Sequence, residues 1–193
     1  MMTLGEDEWD AYTRFAAPLI LARFPDWEDI ANLMPRADGE GCALEFNLPC
    51  PSPDNARGLW VSTADDELTV GFHTHHRHYS NYEIPLNPEQ VDVGIQFADD
   101  ILEERVGVVS WYRTGEFAGS LSVELPHPGP LLGSFDGFPP GFDVGDIVSG
   151  LERATLRSWF GRFDREEAKV ASKEASVDGC LETFLETQSR QKE

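Results

Sequence analysis

Residues 58–79 read GLWVSTADDELTVGFHTHHRHY, and the alternation within them decides the fold. With Asp65-Asp66 as a two-residue turn, Leu59 faces Phe72, Val61 faces Val70 and Thr63 faces Leu68. Trp60 then lies opposite Gly71 on the reverse face. A period of two with apolar residues on one side is the mark of a half-buried antiparallel hairpin. The reverse side carries Trp60, Ser62, Thr69, His73 and, as the strand continues, His75.

Working outward, VGVVSWYRTGEFAGSLSVEL (106–125) predicts a second hairpin turning at Thr114-Gly115, with Arg113 opposite Glu116, Tyr112 opposite Phe117 and Val108 opposite Leu121. GCALEFNL (41–48) alternates as a strand, and ATLRSWFGRFD (154–164) closes the sheet. Asn87-Pro88-Glu89-Gln90 is a helix start, with an N-cap, proline at the first helical position and a glutamine for a capping box. That helix, 87–105, buries Val91, Ile95, Ala98, Ile101 and Leu102. Trp9, Tyr12, Ala16, Leu19 and Ile20 recur at helical steps, with a bend expected at Pro18. Asp26 caps a second helix carrying Trp27, Ile30, Leu33 and Met34, and residues 36–40 read as a turn. The Gly-, Pro- and Phe-rich stretch 126–150 reads as an ordered cover over the sheet. Residues 166–193 read as a C-terminal helix or frayed tail anchored by Leu181, Phe184 and Leu185.

These elements predict one α+β domain over residues 1–193. Its parts are N-terminal helices in 1–40, a mainly antiparallel sheet of about six strands in 41–165 with the helix inserted, and the C-terminal segment. The chain of 193 residues is 40% apolar, enough to fold without disulfides or structural metals. Its three cysteines are widely spaced and form no CxxC pair. MMTLGEDEWD (1–10) has neither a basic nor an apolar signal region, and no uncharged apolar run is long enough to span a bilayer. A reducing cytoplasm is the expected location. Thirty-five acids against fifteen bases leave a formal charge of −20, which repels nucleic-acid phosphates and anionic lipids and attracts a cationic partner.

Four of the five histidines, His73, His75, His76 and His78, fall within six positions. On a continuous strand His73 and His75 share one face and His76 and His78 the other, so His73 and His75 are the pair expected to hold a divalent transition metal. A further ligand would come from Glu83, Asp136, Asp143 or His127. Without a metal, the same rings cover the sheet edge beside Trp60. Trp60, Trp111 and Trp159 are expected together on the reverse face, under helices or as an aromatic patch. Ser80 lies outside a GxSxG elbow and no phosphate-binding glycine motif follows a strand, so no catalytic group and no nucleotide cofactor is nominated. Asp92, Asp99, Asp100, Glu103 and Glu104 are expected on the exposed side of the 87–105 helix, as a solvated face or a partner-docking surface.

The order of a short acidic N-terminal helix, GLWVSTADDELTVGFHTHHRHY, the NPEQ-capped helix, SWYRTGEFAGS and RSWFGRFD resembles, over residues 40–165, small uncharacterised bacterial proteins related in type to immunity proteins of polymorphic-toxin systems. The resemblance implies a cytosolic, non-enzymatic protein that neutralises a cognate basic toxin by binding it, with no catalytic residues to carry over. Two alternatives stand beside it: a metal-binding protein or metal-dependent enzyme centred on His73–His78, and a homo-oligomeric structural module, such as a homodimer.

Overall fold

The computed structural model describes residues 8–52, 58–80, 84, 86–132 and 150–169. The expectations for most of the 126–150 cover, for the tail beyond residue 169 and for Glu83, Asp136 and Asp143 lie outside the described residues.

The first hairpin forms in the predicted register. β3 (Leu59–Ser62) runs antiparallel to β4 (Leu68–Phe72), with Leu59 opposite Phe72, Trp60 opposite Gly71 and Val61 opposite Val70. Asp65 and Asp66 both take positive φ, 60° and 58°, which aspartate tolerates better than most residues with a side chain. On its far side β3 pairs with β2 (Cys42–Leu48), and β2 with β1 (Ala31–Pro35). Leu33 and Met34, expected on a helix, belong to β1. The segment that opens at Pro25 is a short 3-10 helix ending at Ile30, after which a ladder with β2, Leu33 opposite Leu44, satisfies the backbone instead.

The strand carrying the histidines does not run on past Phe72. His73 and Thr74 turn the chain, His73 at φ 54°, and β5 (His75–Tyr79) returns along β4. The sheet is thus five-stranded, in the order β1-β2-β3-β4-β5.

A second sheet has the order β7-β6-β8-β9, from β6 (Val106–Arg113), β7 (Glu116–Glu124), β8 (Arg153–Arg157) and β9 (Arg165–Ala168). Arg113 does face Glu116 and Tyr112 faces Phe117, but Val108 faces Ser122, not Leu121. A bulge explains the shift: Tyr112 pairs with Phe117 and Trp111 with Gly119, so Ala118 has no partner and every later pair moves by one. Residues 165–168 also depart from the expected C-terminal helix, because pairing with β8 adds them to the sheet as an edge strand. The α+β class therefore holds, with its strands divided between sheets of five and four rather than gathered in one of about six.

α1 (Ala11–Arg23) starts at Asp10, whose carboxylate accepts the Thr13 N–H at 2.7 Å, and it continues through Pro18 without interruption. α2 (Pro88–Leu102) is capped by Asn87, which accepts the Glu89 N–H at 2.9 Å. Both helices cover one face of the five-stranded sheet. Tyr12, Ala16 and Ile20 of α1 and Val91, Ile95, Ala98 and Ile101 of α2 join Leu44, Phe46, Leu59, Val61, Leu68, Val70 and Phe72 in one core. Val108 of β6 reaches that core, while Val109 and Trp111 turn to a second one with Leu131, Leu151, Ala154 and Leu156. Each fully buried leucine or phenylalanine stabilises by about 1.5–3 kcal/mol. A one-residue slip of β3 or β4 would turn its whole apolar set outward, so the packing that fixes the inner face also fixes which residues the outer face displays. Among the described residues no helix is long and apolar enough to cross a membrane.

Candidate functional site

The turn at His73-Thr74 reassigns the histidines. Cross-strand partners share a face, so His75 opposite Phe72, Arg77 opposite Val70 and Tyr79 opposite Leu68 point to the helix side. His76 opposite Gly71 and His78 opposite Thr69 point outward. His73 and His75 therefore do not share a strand face: His73 sits in the turn and lines a cavity with Trp60, and His75 turns towards β7. The outward neighbour of Trp60 along the strands is His76, with ring centroids 6.1 Å apart. Among the described residues no group of three or more His, Cys, Asp or Glu is placed to hold a metal ion. His127, a third expected ligand, is influenced by Arg165 and Glu167 of β9, at the opposite edge of the second sheet from β7.

His75 belongs to a polar seam between the sheets. Its Nδ1 lies 3.2 Å from Ser120 Oγ, and that hydroxyl donates to the Thr74 carbonyl at 3.1 Å. With its one proton used there, Ser120 can only accept from His75, which makes the imidazole the Nδ1–H tautomer. Nε2 is then a buried acceptor without a hydrogen bond among the described residues. Burial, reinforced by the charges of Arg77 and His76, pushes the His75 pKa down to about 4, so the ring is neutral at physiological pH. Thr74 and Ser110 hydroxyls meet at 2.5 Å, and Arg77 reaches Ser122 Oγ at 2.5 Å while lying 4.7 Å over the Phe97 ring.

The outer face of the five-stranded sheet has a different character. Across it run Asn47, Trp60, Gly71 and His76 in one row, and Glu45, Ser62, Thr69 and His78 in the next. Trp60 lies flat across the bare backbone of Gly71, where a Cβ would fall 2.2 Å from Cε2 of the indole. His78 Nδ1 contacts Glu67, which also accepts from Thr69 Oγ1 at 3.3 Å, and the His76 and His78 rings meet edge-on at 4.9 Å. Asn47 Nδ2 donates to Glu45 Oε1 at 2.6 Å. Beside the indole opens a cavity of about 470 Å3, lined by Asn47, Leu48, Pro49, Gly58, Leu59, Trp60 and His73. The register that placed Trp60 over Gly71 was legible in the sequence; Asn47 and His76 follow from it only once β2 and the turn at His73 are placed.

The five acids of the 87–105 segment separate into two groups. Asp92 and Glu103 are exposed, and Asp100 is partly exposed, bonded to Arg105 and Gln96. Asp99 and Glu104 are buried, contrary to the expectation of one exposed face. Asp99 accepts from Arg23 at 2.5 Å and from Arg105 at 2.7 Å; burial opposes ionisation, but the two guanidinium groups hold the carboxyl below its ordinary range. Glu104 follows the helix cap at φ 53° and accepts the Phe160 N–H at 2.8 Å and the Arg162 side chain. Desolvation again works against its charge, and bonds from Ser158, Phe160 and Arg162 outweigh it. The exposed stripe is therefore Glu89, Asp92, Asp100 and Glu103, at steps of three, eight and three along one helix face.

The three tryptophans share no patch. Trp111 is buried in the second core with Nε1–H donated to the Leu131 carbonyl at 2.9 Å, Trp159 packs 6.0 Å from Phe72 in the first, and only Trp60 lies on the outer face. No family model matches the chain, and no curated protein or solved structure matches it.

Proposed function

We propose that the chain is a cytoplasmic, non-enzymatic binding protein whose acidic surface captures a cationic protein, in the manner of an immunity protein neutralising a cognate toxin. The observation that carries this reading is how the charges are distributed. Arg23, Arg36, Arg105 and Arg162 are each bonded to carboxylates of their own chain, while Glu89, Asp92 and Glu103 face solvent with no ion-pair partner among the described residues. Part of the surplus behind the −20 charge is thus displayed outward, and α2 offers it on a rigid rod. Exposed charges of this kind mainly accelerate encounter, and their effect fades as salt shortens the screening length.

The test is capture of the products of neighbouring genes, above all a basic toxin domain, by the wild type and by Glu89→Gln/Asp92→Asn/Glu103→Gln. The expected outcome is a complex whose association slows with added salt and is slowed at least several-fold by the triple substitution. A triple variant that associates at the wild-type rate, or no complex with any neighbouring product, would overturn the reading.

A further inference from the structure

We propose that the cavity beside Trp60 takes an arginine side chain presented by the cationic partner, an inference that rests on the acidic-capture reading above. One face of the indole is spent on Gly71, so the other points away from the sheet, and the face of an indole is where a cation is attracted. Asn47 supplies the polar contact. Its NH2 end is committed to Glu45, and because a carboxylate accepts hydrogen bonds and cannot donate them, the amide oxygen is the end left for a ligand. A bound group therefore meets a π-face and an acceptor, the complement of a donor-rich cation.

The apolar part of the lining suits the stem of that cation, and the His73 ring completes the wall. Leu48, Pro49 and Leu59 give apolar walls for three methylene groups. Gly58 lets the chain pass close to Leu48 at the edge of the cavity, since any side chain there would begin 1.8 Å from the Leu48 carbonyl oxygen. A planar guanidinium stacks on an indole over its whole area, which a compact ammonium does not. The overall charge concentrates cations at the surface and disfavours phosphates and carboxylates in the same space.

The experiment is a titration of the full-length 15N-labelled protein at low salt, read at the tryptophan indole N–H signals, with Trp60 assigned from Trp60→Phe. The probe is acetyl-Gly-Arg-Gly-Arg-Gly-amide, with its citrulline twin and a neutral monosaccharide as controls. The arginine peptide is expected to shift the Trp60 signal most, the citrulline twin and the sugar to leave it in place, and Trp60→Ala, followed by titration calorimetry because its reporter signal is gone, to weaken binding by about 5- to 30-fold. Trp60→Phe keeps an aromatic ring on the sheet and is expected to weaken binding less, which guards against reading a folding defect as lost affinity. Equal shifts from citrulline or sugar, or unchanged affinity in both variants, would overturn the assignment. If the peptide instead perturbs α2 and leaves Trp60 alone, the pocket is refuted and acidic capture survives. Should Trp60 respond unchanged in Glu89→Gln/Asp92→Asn/Glu103→Gln while that variant still captures the partner at the wild-type rate, the pocket survives and the helix reading falls.

Discussion

Glu104 occupies a position that usually belongs to glycine, one residue past a helix cap and at φ 53°. Holding a residue with a Cβ in that conformation costs about 1–2 kcal/mol. What offsets it is the carboxylate, whose side chain is only 1% exposed and which receives the Phe160 N–H and the Arg162 head group, tying the end of α2 to the turn between β8 and β9. Glu104→Ala keeps the strained backbone and strands the Phe160 donor. Arg162 is 65% exposed and returns to water, so the loss belongs at the low end for a broken buried pair, about 3 kcal/mol. Glu104→Gly removes the same bonds but relieves the backbone, giving a net loss of about 2 kcal/mol. Glu104→Gln, which keeps size and one acceptor, should lose about 1–2 kcal/mol. Urea denaturation with matched slopes measures all three. The ordinary value for this carboxyl is 4.5 and its folded pKa lies lower, so its contribution is complete above 4.5 and disappears as pH falls through the folded pKa. Wild type and Glu104→Gln should accordingly converge in acid. A Glu104→Gly protein as stable as wild type at neutral pH would refute the reasoning, since the carboxylate would then be doing nothing that its backbone strain needs.

His75 gives a second pH signature. Its pKa falls from 6.5 to about 4 on folding, so the unfolded chain binds more protons between those values; stability is complete above 6.5 and declines as pH drops towards 4. Because the ring is partly exposed, solvent screening reduces the effect to about 1–2 kcal/mol, measurable as the narrowing gap between wild type and His75→Gln across that window. A gap that stays constant with pH would refute the buried neutral tautomer. Elemental analysis of tag-free protein should find transition metal well below one ion per chain, since His73 and His75 diverge at the turn; a stoichiometric ion lost in His73→Ala/His75→Ala would restore the metal reading.

The parts of the fold that were legible in the sequence are those where short-range signals agree. Alternation and a two-residue turn gave the register of β3 and β4, and the Asn87 cap placed α2. Most of the misses arise where a partner outside the segment, near or far along the chain, sets what the segment becomes. β1 and β9 are edge strands of five and four residues whose identity depends on the neighbour they pair with, and their own composition favours helix. The burial of Asp99 and Glu104 depends on Arg23 and Arg162, 76 and 58 residues away, whereas helical periodicity assigns any charge to the solvent side. The bulge at Ala118 leaves no compositional trace beyond the small residues around it.

The candidate site turned on a single such event. His-Thr has neither the glycine nor the asparagine that marks a two-residue turn, so the sequence pattern extends the strand ending at Phe72 through His75, whereas the chain reverses there. Once the chain reverses at His73, the parity of every later residue is set by β4 rather than by counting along one strand. His75 goes inward, where desolvation keeps it neutral and Ser120 fixes its tautomer; His76 goes outward beside an indole that only a glycine could have seated. Four adjacent imidazoles thereby acquire different surroundings, and the pairing of His73 with His75 gives way to a seam between sheets on one side and an outward row beside Trp60 on the other. The second follows from the first, because the inward residues that lock β5 against β7 and α2 also hold the outward row of Asn47, Trp60 and His76 in line.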